Sequence, residues 1–256
     1  ILINMNMITA NTARLLITCA DKPGIVQAVS SFLYHQGANI TALDQYATAA
    51  QGGRYFMRVE FELDHLQSRK ESLFQTFAVN VAERYEMQWR LALVSDVKKV
   101  GILVSKVDHA LLELLWRHAR GGLPCEITKV ISNHEDLRES VENFGIPFEV
   151  VPVNKENKRE AYAKIDELMQ GSDLLVLARY MQILDEEFVQ KWEMKIINIH
   201  HSFLPAFVGA NPYKQAHEKG VKLIGATAHY VTADLDQGPI IEQDVERVNH
   251  DFTVDQ

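Results

Sequence analysis

Cysteine is scarce in this sequence: there are two in 256 residues, Cys19 and Cys125. Two thiols so far apart make neither a disulfide framework nor a metal cluster, and a chain built this way fits a reducing cytoplasm. Long apolar runs are missing too. No uninterrupted stretch reaches the ~18 residues of a membrane span, so no membrane partner is expected. The apolar start, "ILINMNMITA", lacks the basic residues that open a secretory signal and reads as a disordered or strand-like leader. Positive charge is not in excess either. The formal net charge is −8, with 8 basic and 9 acidic residues up to Val97 and 18 against 25 beyond it. A nucleic-acid partner is therefore not expected, because phosphate binding usually demands a basic face. Internal repeats and low-complexity tracts are also absent.

A hydrophobic content of 47% suffices to build cores, and the patterning predicts two of them. "ARLLIT" is a short apolar strand broken at the "CADKPG" turn. Ile25, Val29, Phe32 and Leu33 then recur at helical spacing up to Gly37, which suits a helix C-cap. "NITALDQYAT" and "GRYFMRVEFEL" alternate like strands around the hairpin signal "QGG", residues 68–87 read as a second helix, and "QWRLALV" as a last strand. The order βαββαβ predicts a small split α/β sandwich over residues 12–94.

After a linker at 95–98 the pattern restarts and runs over 99–256. "KVGILVS", "CEITKVIS", "PFEVVPV" and "DLLVLA" are apolar strands, alternating with the helical stretches "HALLELLWRHARGG", "HEDLRESVENFG" and "REAYAKIDELMQG". Such alternation predicts an α/β fold with a doubly wound, mostly parallel sheet, and ligands bind at the carboxyl ends of its strands. "KIINIH", "LIGATAHYVT" and "DLDQGPIIEQDVERV" follow as further strands, with a loop over 201–212 and the helix "YKQAHEKG" between the first two.

Polar residues gather in this last part. Side chains alternate along a strand, so Asn198 and His200 share a face, and a polar pair in an apolar run must find partners. A hydrogen-bonded core Asn and His would satisfy that as well as a site would. His229, Thr227, Asp234 and Asp236 add polar groups at a strand end and a turn, although Asp-X-Gly-Pro alone is merely a turn. If Asn198, His200 and Asp236 converge, they make a coherent metal-free set for attack on a formyl carbon. The amide and imidazole would be donors to the oxyanion, and the carboxylate would orient the imidazole or take a proton from water. A zinc site of His200, His201 and His229 is the weaker alternative, because adjacent histidines on a strand point to opposite faces. His229 is equally readable as a core histidine or a partner of the site.

"VLARYMQIL", "IINIHHSFLPAF", "GANPYKQA" and "GATAHYVTADLDQGPII" resemble the successive signatures of the formyltransferase and hydrolase family that uses 10-formyltetrahydrofolate. The resemblance places Asn198, His200 and Asp236 on that family's catalytic Asn, His and Asp. It implies a folate pocket at Met181, Gln182, Ile183 and Leu184, with Gly225 and Thr227 in support. Position 182 is Gln, where transformylases often have a basic residue. "LLITCADKPGIVQAVSSFLYHQGANI" is similar to an ACT domain. That fusion points to the family's deformylase branch, which hydrolyses 10-formyltetrahydrofolate to formate and tetrahydrofolate, supplies formate for purine synthesis and balances the one-carbon pool.

The alternative is formyl transfer to an amine such as glycinamide ribonucleotide. "LVSKVDHALLELL" has no glycine between Leu103 and Leu115 to seat that acceptor's phosphate, and His201 stands where transformylases tend to have proline. A catalytically silent folate-responsive module is a third reading. The resemblance implies no cofactor, folate and water as partners, and a homo-oligomer. It also implies an amino-acid effector, glycine or methionine, with Asp21, Gly24 and Asn39 as its residues. The family continues past the position of Gln256 into a helical segment, so the chain is expected to be cut short there.

Overall fold

A computed structural model describes residues 10–49, 52–205 and 212–254. The proposed leader lies mostly outside that range, as do Ala50, Gln51 of the expected hairpin signal and residues 206–211 of the expected loop. The chain divides into two compact units, 1–97 and 98–256.

In the first unit β1 (Thr12–Ala20), α1 (Ile25–His35), β2 (Asn39–Ala47), β3 (Arg54–Glu62), α2 (Leu66–Phe77) and β4 (Gln88–Leu93) give the expected βαββαβ order. Here α2 is shorter than the sequence suggests, because a π-turn over 78–82 and a 3-10 turn over 83–85 carry the chain on to β4. The strands form an antiparallel sheet in the order β2-β3-β1-β4. Strict alternation in β1 sends Ala13, Leu15, Ile17 and Cys19 inward against Ile25, Val29 and Leu33 of α1. The helix ends as its sequence indicates. Gly37, at φ 77, lets the Ala38 N–H reach back to the Leu33 carbonyl at 3.0 Å.

The second unit is laid out in chain order as β5 (Lys98–Val104), α3 (His109–Ala119), β6 (Cys125–Ser132), α4 (Arg138–Glu142), β7 (Phe148–Val150), α5 (Lys158–Leu168), β8 (Leu174–Ala178), α6 (Glu186–Lys191), β9 (Ile196–His200), α7 (Pro212–Glu218), β10 (Leu223–Tyr230) and β11 (Ile240–Arg247). The sheet order is β11-β10-β9-β8-β5-β6-β7. Strands β5 to β9 pair in parallel, and β10 and β11 extend the edge antiparallel.

Alternation along β5 shows why helices cover both faces. Val100, Ile102 and Val104 pack with Leu111 and Leu115 of α3, whereas Leu103 packs with Tyr162 and Ile165 of α5. The sheet is doubly wound, with its switch between β5 and β8. Sequence periodicity missed α6, whose signal is Asp185: its carboxylate caps Glu187 N–H at 3.1 Å ahead of two acidic first-turn residues. No helix among the described residues is long and apolar enough to cross a membrane.

The buried polar residues mark where this sheet does something other than pack. In the second unit they are Ser105, Ser132, Asn133, His200, Ser202, Thr227 and His229. Each stands at or just past the carboxyl end of β5, β6 or β9, or on β10 beside β9. The switch between β5 and β8 lies at that same end of the sheet.

Candidate active site

Strand β9 carries Asn198 and His200 to the end of the sheet, and β10 runs back beside it so that His229 pairs with Asn198 and Thr227 with His200. Directly opposed residues on antiparallel strands share a face, so the register makes His229 a neighbour of both. A register shift between Ala228 and His229, where β10 pairs with β11, marks a bulge beside the site. The chain then turns through "DLDQGP" and returns Asp236 to this face in a left-handed backbone, φ 56. Its Oδ2 is 3.4 Å from His200 Nδ1 and its Oδ1 is 3.6 Å from His229 Nε2. All three side chains are at least nine-tenths buried.

The turn has a steric requirement at Gly238. A Cβ there would lie 1.7 Å from the Tyr230 carbonyl oxygen. That oxygen is also the partner of His229 Nδ1, at 2.9 Å. A carbonyl can only accept, so Nδ1 carries the hydrogen and Nε2 of the neutral ring is an acceptor. Asn198 Nδ2 lies 3.3 Å from that Nε2, which spends one amide N–H on the ring and leaves the second to point elsewhere. His229 thus orients Asn198 and flanks Asp236. Its role could not be read from the sequence because it depends on which residue of β9 it pairs with.

These groups line one end of a cleft of about 580 Å³. Met181, Gln182, Ile183 and Leu184 form another wall as an extended segment, with Met181 58% and Ile183 66% exposed. Large apolar side chains left open inside a cleft suit a flat aromatic ligand. Ser105 holds the segment in place by accepting the Met181 N–H at 3.0 Å.

Several expectations need correction. His201 does not point away from the site. Strand β9 ends at His200, so alternation no longer governs the next residue, and the His201 ring lies 5.5 Å from that of His200 and lines the same cleft. Thr227 does not line the cleft. Its hydroxyl donates to the Ser202 carbonyl at 2.8 Å and accepts from Leu204 N–H and Gln243 Nε2, each at 3.0 Å, so it anchors the segment that carries His201. Gly225 does not line it either. A Cβ there would lie 2.2 Å from the Asp244 carbonyl oxygen, so its smallness serves the pairing of β10 with β11.

In the first unit Asp21 and Gly24 share the turn into α1, but Asn39 lies apart from them. It pairs with Glu62, which pairs with Thr12 at the opposite end of β1 from Asp21. The crossover helix α1 returns the chain the length of the sheet, so the start of β2 cannot meet the end of β1 in one chain. None of the three lines the hollow of about 530 Å³ over the sheet's open face. As to metals, no group of three His, Cys, Asp or Glu among the described residues is arranged to hold an ion.

Comparison with known proteins defines the class first: a family model described as formyl transferase matches residues 98–256, and an ACT domain model matches residues 13–77. The formyltetrahydrofolate deformylase of Bacillus subtilis is 56% identical over 93% of this chain and 79% of its own length. The crystal structure of a formyltetrahydrofolate deformylase from Pseudomonas syringae pv. tomato superposes with a TM-score of 0.88 at 44% identity, over 95% of this chain and 82% of that one. A glycinamide ribonucleotide transformylase from Symbiobacterium toebii reaches 0.59 at 32% identity, over 63% of this chain and 78% of that one. The chain belongs to the formyltetrahydrofolate deformylase family.

Two outcomes follow from the geometry. Gly238→Ala must displace the Tyr230 carbonyl, and overpacking of this kind costs about 1–3 kcal/mol; urea unfolding should show the loss, and an unchanged midpoint would mean that the turn yields freely. His201 is the second case. Burial, and then the nearby Arg179, push its pKa from the ordinary 6.5 down to about 4. The unfolded chain takes up that proton at the higher pH, so His201 contributes stability above pH 6.5 that is lost as pH falls towards about 4. His201→Gln should flatten this part of the stability profile; an equally steep profile would rule the contribution out.

Proposed function

We propose that the chain hydrolyses 10-formyltetrahydrofolate to formate and tetrahydrofolate with Asn198, His200 and Asp236 as its catalytic groups. The observation that carries the assignment is the buried carboxylate of Asp236 held between two imidazoles beside an oriented Asn198 amide, at the end of an apolar cleft. The pteridine ring lies against Met181 and Ile183. The free Asn198 N–H and His200 donate to the formyl oxygen, and Asp236 takes a proton from the attacking water. As water's oxygen bonds to the formyl carbon, negative charge develops on the formyl oxygen and is met by donors already in place. The C–N10 bond then breaks, its electron pair goes to N10 with the proton held by Asp236, and formic acid gives the second proton of the water to solvent and leaves as formate. Only protons and electron pairs move, so the reaction needs no redox partner; water is the sole co-reactant.

The ACT unit is read as the seat of an amino-acid effector, glycine or methionine, near the turn of Asp21 and Gly24, and the protein as a homo-oligomer. Support for self-association is the open face of the first sheet, where Leu16 is 40%, Tyr46 65% and Phe56 41% exposed.

Asp236→Asn should lower formate release by about 10²-fold or more while a folate analogue still binds; unchanged turnover would remove Asp236 from the mechanism. Formate release should also need no amine, so a requirement for glycinamide ribonucleotide would favour transfer instead. Equilibrium dialysis of the full chain should show saturable binding of glycine or methionine that Asp21→Ala weakens, and binding of neither would leave the ACT unit a structural role.

A further inference from the structure

The cleft contains a cation that the mechanism above does not use. Arg179 follows β8 directly and lines the cleft with Asn198, His200, His201 and Asp236. Its backbone is left-handed, φ 61. A residue with a long side chain rarely takes that conformation, and it persists only where the surroundings impose it, which happens most often at ligand sites. The imposing contacts are visible here. Ser105 N–H donates to the Arg179 carbonyl at 3.3 Å, and the Ser105 hydroxyl accepts from Met181 N–H at 3.0 Å while donating to Asn133 Oδ1 at 2.7 Å. The backbone on both sides of Tyr180 is thus tied to the ends of β5 and β6.

Among the described residues the guanidinium so placed has no carboxylate in ion-pair contact. Its Nε is shielded from solvent and has no hydrogen-bond partner among the described residues. Asp236, the carboxylate beside the histidines, turns both oxygens to imidazoles instead. His201 is close enough for burial and then Arg179 to hold it neutral, so it adds a hydrogen-bonding group without adding charge. A partly buried cation without a partner favours an anion, and the N–H fork of a guanidinium matches a carboxylate.

We propose that Arg179, with His201 beside it, is a seat for a small carboxylate, and that its occupant is the formate produced in the same cleft. The seat follows from the geometry; the identity of the anion rests on the deformylase reading. The other carboxylate that could reach this cleft is the glutamyl tail of the folate.

Titration of isotope-labelled formate into the full chain without folate, followed by NMR, reads the seat directly. Saturable binding is expected, weakened about tenfold or more in Arg179→Met and partly kept in Arg179→Lys. Arg179→Gly relieves the left-handed backbone, so it should fold at least as stably and lose formate as fully, which separates loss of the seat from misfolding. Formate binding that is equal in wild type and both neutral variants, or absent from wild type, overturns the proposal. So does an Arg179→Met variant that binds pteroate normally and pteroylglutamate weakly while keeping its formate affinity, because the carboxylate would then be the glutamyl tail. Intact formate binding in a chain that releases no formate from formyltetrahydrofolate would leave the seat in place and remove the deformylase reading.

Discussion

The site depends on one carboxylate placed between two imidazoles. Asp236 is almost fully buried, and a buried charge is costly unless hydrogen-bonding partners replace the water it has lost. Its hydrogen-bonding partner is His200 of β9, His229 of the adjacent β10 flanks it, and Asp236 itself arrives from a turn that only the continuation of β10 can deliver. The parallel part of the sheet cannot supply this arrangement. It takes the antiparallel extension, with β10 folded back along β9, to oppose His229 to Asn198 and to bring the turn home over the same face. The left-handed backbone at Asp236 and the glycine at 238 are the local conditions under which that turn closes.

The rest of the second unit holds this end of the sheet still. Apolar side chains from alternate positions of β5 and β8 are consumed on both faces, so the polar residues collect past the strand ends. There they bind one another. Ser132 donates to the Ser105 carbonyl at 3.2 Å, Ser105 to Asn133, and Ser105 in turn fixes the backbone around Tyr180. Thr227 and Gln243 do the same for residues 202–204 from the other side. Catalytic donors are most effective when they need not reorganise as charge develops, and both walls of the cleft are anchored in this way.

Much of this was legible in the sequence because it depends on local rules. Alternation put Asn198 and His200 on one face, strand–helix alternation gave a parallel sheet with covered faces, and the "DLDQGP" turn marked where a carboxylate could return. The sequence was misread where a local rule was carried beyond its range. Alternation was applied to His201, which stands one residue past its strand. The ACT resemblance groups Asn39 with Asp21, although within one chain a crossover helix sends them to opposite ends of the sheet. Gly225 and Thr227 sit among the site's motifs but are used in packing and anchoring. The roles of His229 and Arg179 rest on strand register and on a backbone dihedral, and neither is written in residue type.

Charge development ties these parts together. A formyl amide is neutral, its tetrahedral adduct carries negative charge on oxygen, and formic acid, once the C–N bond has broken and it has ionised, carries negative charge on oxygen again. In the proposed mechanism the donor pair, Asn198 oriented by His229 and His200 by Asp236, meets the charge as it forms. A guanidinium lining the same cleft favours whichever species holds the charge, and it has no preference for the neutral substrate. Discrimination of this kind, between a neutral ground state and the anion that follows, lowers a barrier without tightening substrate binding. Partial exposure of Arg179 screens its charge and so limits how strongly it holds the product in the proposed seat.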